Sequence, residues 1–199
     1  MEKDTYFPFH KLWCKEGHFN NDQCLVIENL VKEHQPKYCL ETGFCTGRSA
    51  LSVLNSSDKI EKFITIDVNF DYRSEGRKYK ELFKEEYAHF KAIEEASGKI
   101  FNKEFFQKEY PNGIDWFTVD GDHSQKGCYN DIHEVLPYMN EGSIIIIDDY
   151  KSGPPNGCSI PSVTKACEAI FEKYEDIIER TEWNEKGKGF CIFKIAREK

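Results

Sequence analysis

The sequence predicts one α/β domain built on a doubly wound, mostly parallel sheet of seven strands that ends in a C-terminal antiparallel hairpin. Three observations carry this. β-rich runs alternate with segments of helical spacing between residues 22 and 148, the order that yields right-handed βαβ crossovers. The run Ile144, Ile145, Ile146, Ile147 is apolar on both faces, as a central parallel strand covered by helices on each side requires. After Tyr150 the alternation stops, and two strand-like runs follow one helix.

In chain order, a helix is expected over residues 22–33, then a strand at 38–42 and a helix at 47–54. Strands at 62–68 and 89–94 flank a helix at 73–87, whose Lys78, Lys80 and Lys84 lie among glutamates and read as a solvated face. A helix at 99–109, a strand at 115–120, a helix at 125–138 and the strand 143–148 complete the alternating part. Residues 152–157 must be a loop, because the prolines lack an amide hydrogen and the glycines permit positive φ. A helix at 163–174 and strands at 177–183 and 190–195 close the fold, with Lys186, Gly187, Lys188 and Gly189 as the turn between the strands. All 199 residues fit a single domain, with 1–37 an N-terminal helical cap and 38–199 the core. His10, Trp13, His18 and Phe19 read first as an amphipathic segment packed on that core and second as a lid over a site.

Composition removes several functions. The chain carries 27 Lys+Arg against 35 Asp+Glu, a net charge of −8 with no basic stripe, which disfavours nucleic acid. No apolar run approaches the roughly 20 residues that cross a bilayer, and residues 1–10 lack the order of a signal peptide. The eight cysteines are scattered without a C-x-x-C pair, so reduced thiols and a cytoplasmic location are expected.

The first strand runs into Glu41-Thr42-Gly43-Phe44-Cys45-Thr46-Gly47-Arg48-Ser49. Glycines at a strand-to-helix turn let the backbone approach a ligand and point helix-terminal amides at it. A tight turn without a ligand explains the glycines equally well. The spacing is E-x-G-x-x-x-G rather than G-x-G-x-x-G, which counts against a nicotinamide dinucleotide. Asp67 ends the next strand, where its carboxylate can accept hydrogen bonds from ribose hydroxyls, and the pair of features favours an adenosyl cofactor. Asp120 ends one central strand and Asp148-Asp149 another. Neighbouring parallel strands finish at the same edge, so these acids can converge. Singly, Asp148 or Asp149 could simply cap a turn. As a set of three they favour a hard cation, Mg²⁺ first and Ca²⁺ or Mn²⁺ next. Asp122 and His123 follow Asp120 on a loop facing the same edge. Asp122 is preferred as a general base, with His123 the alternative base or a support for the loop. His133 reads as an ordinary helix residue.

Leu40 to Gly43, together with Gly47 to Ala50, resembles motif I of the O-methyltransferases related to catechol and caffeoyl-CoA methyltransferases. Val119-Asp120-Gly121-Asp122-His123-Ser124, followed by Ile147-Asp148-Asp149-Tyr150, is similar to the macrocin O-methyltransferase-like enzymes that act on sugars. The resemblance runs from about Tyr38 to Ala169. It implies a Rossmann-like class I fold, S-adenosylmethionine as cofactor, and Mg²⁺ or another divalent cation held by Asp120, Asp148 and Asp149. By the same resemblance Glu41 and Gly43 lie against the methionine part, Ser49 meets its carboxylate, Asp67 holds the ribose and Ser97 stands beside adenine. Phe44, Gly47 and Asp120 complete the cofactor contacts. It also implies Asp122 as base in the sugar-acting branch and His123 as base in the catechol branch. Asp149 replaces the asparagine of catechol-type enzymes, which points to a sugar or other polyhydroxylated acceptor. The chain is shorter than typical sugar-acting members, so part of their substrate lid is in question. A phenol acceptor is the second reading and a non-catalytic cofactor-binding subunit the third. A homodimer is allowed.

Overall fold

A computed structural model describes residues 19–71, 75–154 and 160–196. Its seven strands form one sheet in the order β3-β2-β1-β4-β5-β7-β6. These are β1 (Tyr38–Thr42), β2 (Lys62–Asp67), β3 (Phe90–Glu94), β4 (Ile114–Val119), β5 (Met139–Ile147), β6 (Ile178–Glu185) and β7 (Lys188–Ile195). The first five pair in parallel, and β7 runs antiparallel to both β5 and β6. The order reverses at β1, whose partners are β2 on one side and β4 on the other. In open α/β sheets this switch point is where a crevice for a ligand opens.

Alternation along the strands divides the core between the two faces. Ile144 and Ile146 of β5 join Phe63 and Trp116 under helices α1 (Asn21–His34), α2 (Arg48–Leu54) and α3 (Gly76–Glu86). Ile145 and Ile147 join Leu40, Ile64 and Phe117 on the opposite face. That face is covered by α4 (Ser97–Ile100), α5 (Lys103–Glu109), α6 (Gln125–Val135) and α7 (Pro161–Tyr174). At α1, Asn20 and Gln23 form a reciprocal capping box, and Cys24, Ile27 and Val31 bury one helical stripe. No described helix is long and apolar enough to cross a membrane.

The expected elements shift in three places. The helix foreseen at 99–109 is two helices, because the Asn102 side chain accepts a hydrogen bond from the Phe105 amide and starts a new one. The helix foreseen to 138 leaves α-helical form after Val135, and Leu136–Tyr138 is a 3-10 turn. Pro137 has no amide hydrogen to continue the ladder, and β5 therefore starts at Met139. The turn expected over four residues is the two-residue pair Lys186 (φ 51°) and Gly187 (φ 82°). Positive φ at both positions matches the twist of the flanking strands, and Lys188 pairs with Glu185 inside the hairpin.

Candidate functional site

The predicted site residues gather at the C-terminal edge of β1, β2, β4 and β5. Gly43 follows β1 with φ 85°, and a Cβ built there would lie 2.1 Å from the backbone oxygen of Asp120. Only glycine lets the ends of β1 and β4 close on each other. Gly47 (φ 80°) precedes α2, and a Cβ there would meet the Phe44 ring at 2.6 Å. That ring is buried among Phe70, Phe83 and Phe90, with centroids 5.3–5.9 Å away. Phe44 thus offers a ligand its backbone only. Its amide and that of Cys45 donate to one carboxylate oxygen of Asp67, at 2.8 and 3.2 Å, while the Asn69 amide donates to the other at 2.9 Å. Asp67 holds the glycine loop while standing at the end of β2.

Glu41 lies beneath this loop, fully buried. It accepts hydrogen bonds from Ser49 Oγ at 2.5 Å and Thr65 Oγ1 at 2.8 Å. The Ser49 hydroxyl expected to meet the cofactor carboxylate is committed to Glu41. Burial pushes the Glu41 carboxyl up to about 8, against the two hydroxyl bonds that favour its charged form. In the unfolded chain the group ionises near 4.5, so the folded state keeps an extra proton between about 4.5 and 8. Its contribution to stability is whole below that window and fades as pH rises through it. Glu41→Gln is therefore expected to raise the melting temperature of the cofactor-free protein at pH 8 while changing it little at pH 5. Equal shifts at both pH values would contradict a protonated Glu41.

Ser97 Oγ donates to Asp131 on α6 at 2.6 Å. Asp131 is buried, which raises its carboxyl to about 6. It was not among the residues singled out, although an aspartate on the apolar stripe of Cys128, Ile132 and Val135 is itself a signal of a buried polar role.

At the ends of β4 and β5, Asp120, His123 and Asp149 bring one ligand atom each within 4.8 Å of one another. His123 Nε2 lies 3.1 Å from Asp120 Oδ1, and Nδ1 lies 3.5 Å from Asp149 Oδ2. The hydrogen bond to Asp120, opposed by burial, raises the imidazole to about 9, with Asp149 adding to the rise. The Ser162 hydroxyl donates to the His123 carbonyl at 2.6 Å and fixes the loop. Asp149 adopts φ 59°, a left-handed conformation that a non-glycine residue keeps only where its surroundings demand it.

The three acids expected from the sequence have different partners. Asp120 and Asp149 join His123, whereas Asp148 Oδ1 accepts a hydrogen bond from the buried Gln23 amide at 2.7 Å. Burial first, then Asp120 and Asp149, hold Asp148 well above the usual carboxylate range. The two residues weighed as base have different surroundings, His123 lying between Asp120 and Asp149 and Asp122 against the next turn. Asp122 Oδ1 accepts from the Ser124 amide at 2.8 Å, and a Cβ on Gly127 would lie 2.1 Å from its Oδ2, so it shapes the entry to α6.

Lys188, treated in the sequence as a turn residue, is buried with Nζ 3.9 Å from Asp149 Oδ1. Lys80 is also buried, over the Phe70 ring at 4.8 Å, rather than part of a solvated face. Phe19 packs 5.8 Å from the Phe190 ring, while His10, Trp13 and His18 lie outside the described residues. His133 Nδ1 meets the Tyr174 hydroxyl at 2.5 Å, away from the acids. A hollow of about 650 Å³ lined by Tyr110, Asn112, Gly113 and Tyr138 lies at the opposite, N-terminal edge of the sheet.

A parallel sheet closed by an antiparallel hairpin, with a glycine loop after its first strand and an acid ending its second, is the class I methyltransferase architecture. Residues 40–150 match the family described as a methyltransferase domain, and the chain belongs to that family. Among solved structures, the O-methyltransferase from Bacillus cereus in complex with S-adenosylhomocysteine aligns with TM-score 0.71 at 15% identity, over 90% of this chain and 82% of that one. The O-methyltransferase TomG from Streptomyces achromogenes, involved in tomaymycin synthesis and solved with S-adenosylmethionine, gives the same figures. A Podospora anserina methyltransferase bound to S-adenosylhomocysteine aligns with TM-score 0.66 at 18% identity, over 97% and 84%. At these identities the likeness is one of fold. An uncharacterised protein of Acanthamoeba polyphaga mimivirus is 28% identical over 144 residues, 70% of this chain and 64% of that protein, so the match spans just under two thirds of the relative.

Proposed function

We propose that the protein is an S-adenosylmethionine-dependent O-methyltransferase that acts, with a divalent cation, on a small-molecule hydroxyl of a sugar or similar polyhydroxylated metabolite. The observation that carries this reading is the Asp120–His123–Asp149 group standing at the same sheet edge as the Gly43 loop. A cofactor at the glycine loop would lie against backbone that Asp67 and Glu41 hold in place from below. The two carboxylates suit Mg²⁺ or Mn²⁺. The solved relatives bound to S-adenosylmethionine or its product support the cofactor. The buried thiols Cys24, Cys39, Cys128, Cys167 and Cys191 suit the reducing cytoplasm.

When bound, the cofactor supplies an electrophilic methyl group and the cation lowers the proton affinity of an acceptor hydroxyl. The chain's own residues do the rest. Asp120 and Asp149 fix the imidazole from both sides. With a cation held by those carboxylates, His123 would stand beside the acceptor hydroxyl as the group able to accept its proton. The central place of His123 also favours a second reading, a catechol or other phenol acceptor, since that branch has its base at the matching position.

Calorimetry with S-adenosylhomocysteine tests the cofactor assignment. Saturable binding at micromolar or better affinity is expected, weakened by about 1.5–3 kcal/mol in Asp67→Ala through loss of hydrogen bonds to a charged acceptor. Heat with NAD and none with S-adenosylhomocysteine would reverse it. Chelation is expected to abolish turnover with little change in melting temperature, because two apolar clusters form the core without a metal.

A further inference from the structure

Asp120, His123, Asp149 and Lys188 form a line across the site in which carboxylates alternate with nitrogen-bearing side chains, and Lys188 ends it. The two oxygens of Asp149 face different side chains, Oδ2 toward the His123 imidazole and Oδ1 toward the Lys188 ammonium. Lys188 is 11% exposed at the side chain, and Asp149 is the sole carboxylate within 4 Å of its ammonium among the described residues. The lysine sits on a strand rather than a loop. The backbone that carries it is held to the segment after β5 by two hydrogen bonds. Gly153 N donates to Gly187 O at 2.8 Å and Gly189 N to Ser152 Oγ at 3.2 Å. A Cβ on Gly187 would lie 1.9 Å from the Gly153 oxygen. Asp149 and Lys151, both at positive φ, turn that segment toward the hairpin. Hairpin and loop thus present a fixed ammonium to a fixed carboxylate.

We propose that Lys188 is the resident counter-ion of the acid group, holding Asp149 in the cation-free protein and yielding to a divalent cation, so that it sets the affinity of the site. The proposal rests on the cation reading given above. A buried carboxylate left without its partner is destabilising, and an ammonium this close to a ligand repels an incoming cation across a medium that screens poorly. Lys188 therefore stabilises the cation-free protein and weakens cation binding together, and removing it must separate the two.

The test compares the full chain with Lys188→Met and Lys188→Arg. Mn²⁺ binding is read from the paramagnetic resonance of free Mn²⁺, and melting is followed in EDTA and in saturating Mn²⁺. The methionine variant is expected to bind Mn²⁺ at least fivefold tighter, to melt lower than wild type in EDTA, and to regain the difference when Mn²⁺ is added. The arginine variant, which keeps the charge, should stay near wild type in both. If methionine prevents folding, Lys188→Gln is read in the same way. Equal or weaker Mn²⁺ binding by the methionine variant would reject the role of Lys188 while leaving the cation reading in place. Absence of binding in wild type and variant alike would overturn both. Unchanged melting in EDTA would also reject the counter-ion.

Discussion

His123→Ala is expected to lower the rate of methyl transfer by about 10²–10⁴-fold, the usual effect of removing a general base, while leaving the affinity for S-adenosylhomocysteine near wild type. The imidazole bridges Asp120 and Asp149 but contacts neither Asp67 nor Glu41, which hold the glycine loop. Asp122→Asn should be the milder change. Its carboxylate serves the Ser124 amide and the start of α6, and an asparagine oxygen accepts the same bond. The comparison needs an acceptor, so a panel of sugars and catechols comes first. An inactive Asp122→Asn beside an active His123→Ala would return the base to Asp122 and reduce His123 to a support.

Gly43→Ala is expected to cost about 3 kcal/mol or more in unfolding free energy, with loss of cofactor binding at any temperature where the chain still folds. The methyl group would be driven against the backbone of Asp120, which cannot rotate away as a side chain would. A residue with a Cβ also resists φ 85°. Urea unfolding gives the free energy and calorimetry the binding. Gly142, also at positive φ but with nothing within 4 Å of a built Cβ, is the control: alanine there should show the smaller cost of conformation alone. Equal losses at both positions would show that the contact with Asp120 is not the cause.

The strands could be read from the sequence because each is a short β-rich run bounded by helical spacing or by turn residues. The glycine loop could be read because its spacing is local. What escaped depends on distance along the chain or on a single residue overriding a periodic pattern. Gln23 reaches Asp148 across 125 positions, and Lys188 meets Asp149 only once the hairpin folds back. Nothing local marks either pairing, and charge alone made Asp148 look equivalent to Asp149. Pro137 and Asn102 were visible, and their chemistry (a missing amide hydrogen, a side-chain cap) would have ended one helix and split another had it outweighed the helical spacing around them. Asp122 and His123 are adjacent, so no sequence pattern could decide which would turn toward Asp120; the short Asx turn at Asp122 decided it.

The place of β7 between β5 and β6 sets a problem for the nascent chain on the ribosome. The strand that covers the outer edge of β5 is the last described strand to be translated. At roughly 5–20 residues per second, some 2–10 s separate the emergence of Ile147 from that of Ile195. Throughout that interval a newly made half-sheet would expose the backbone of Ile144 to Ile147, four consecutive β-branched residues ready to pair with another chain. Yield in a cell should therefore depend on holdase chaperones acting late in synthesis, and fragments that stop before β7 should aggregate although most of the core is already encoded in them.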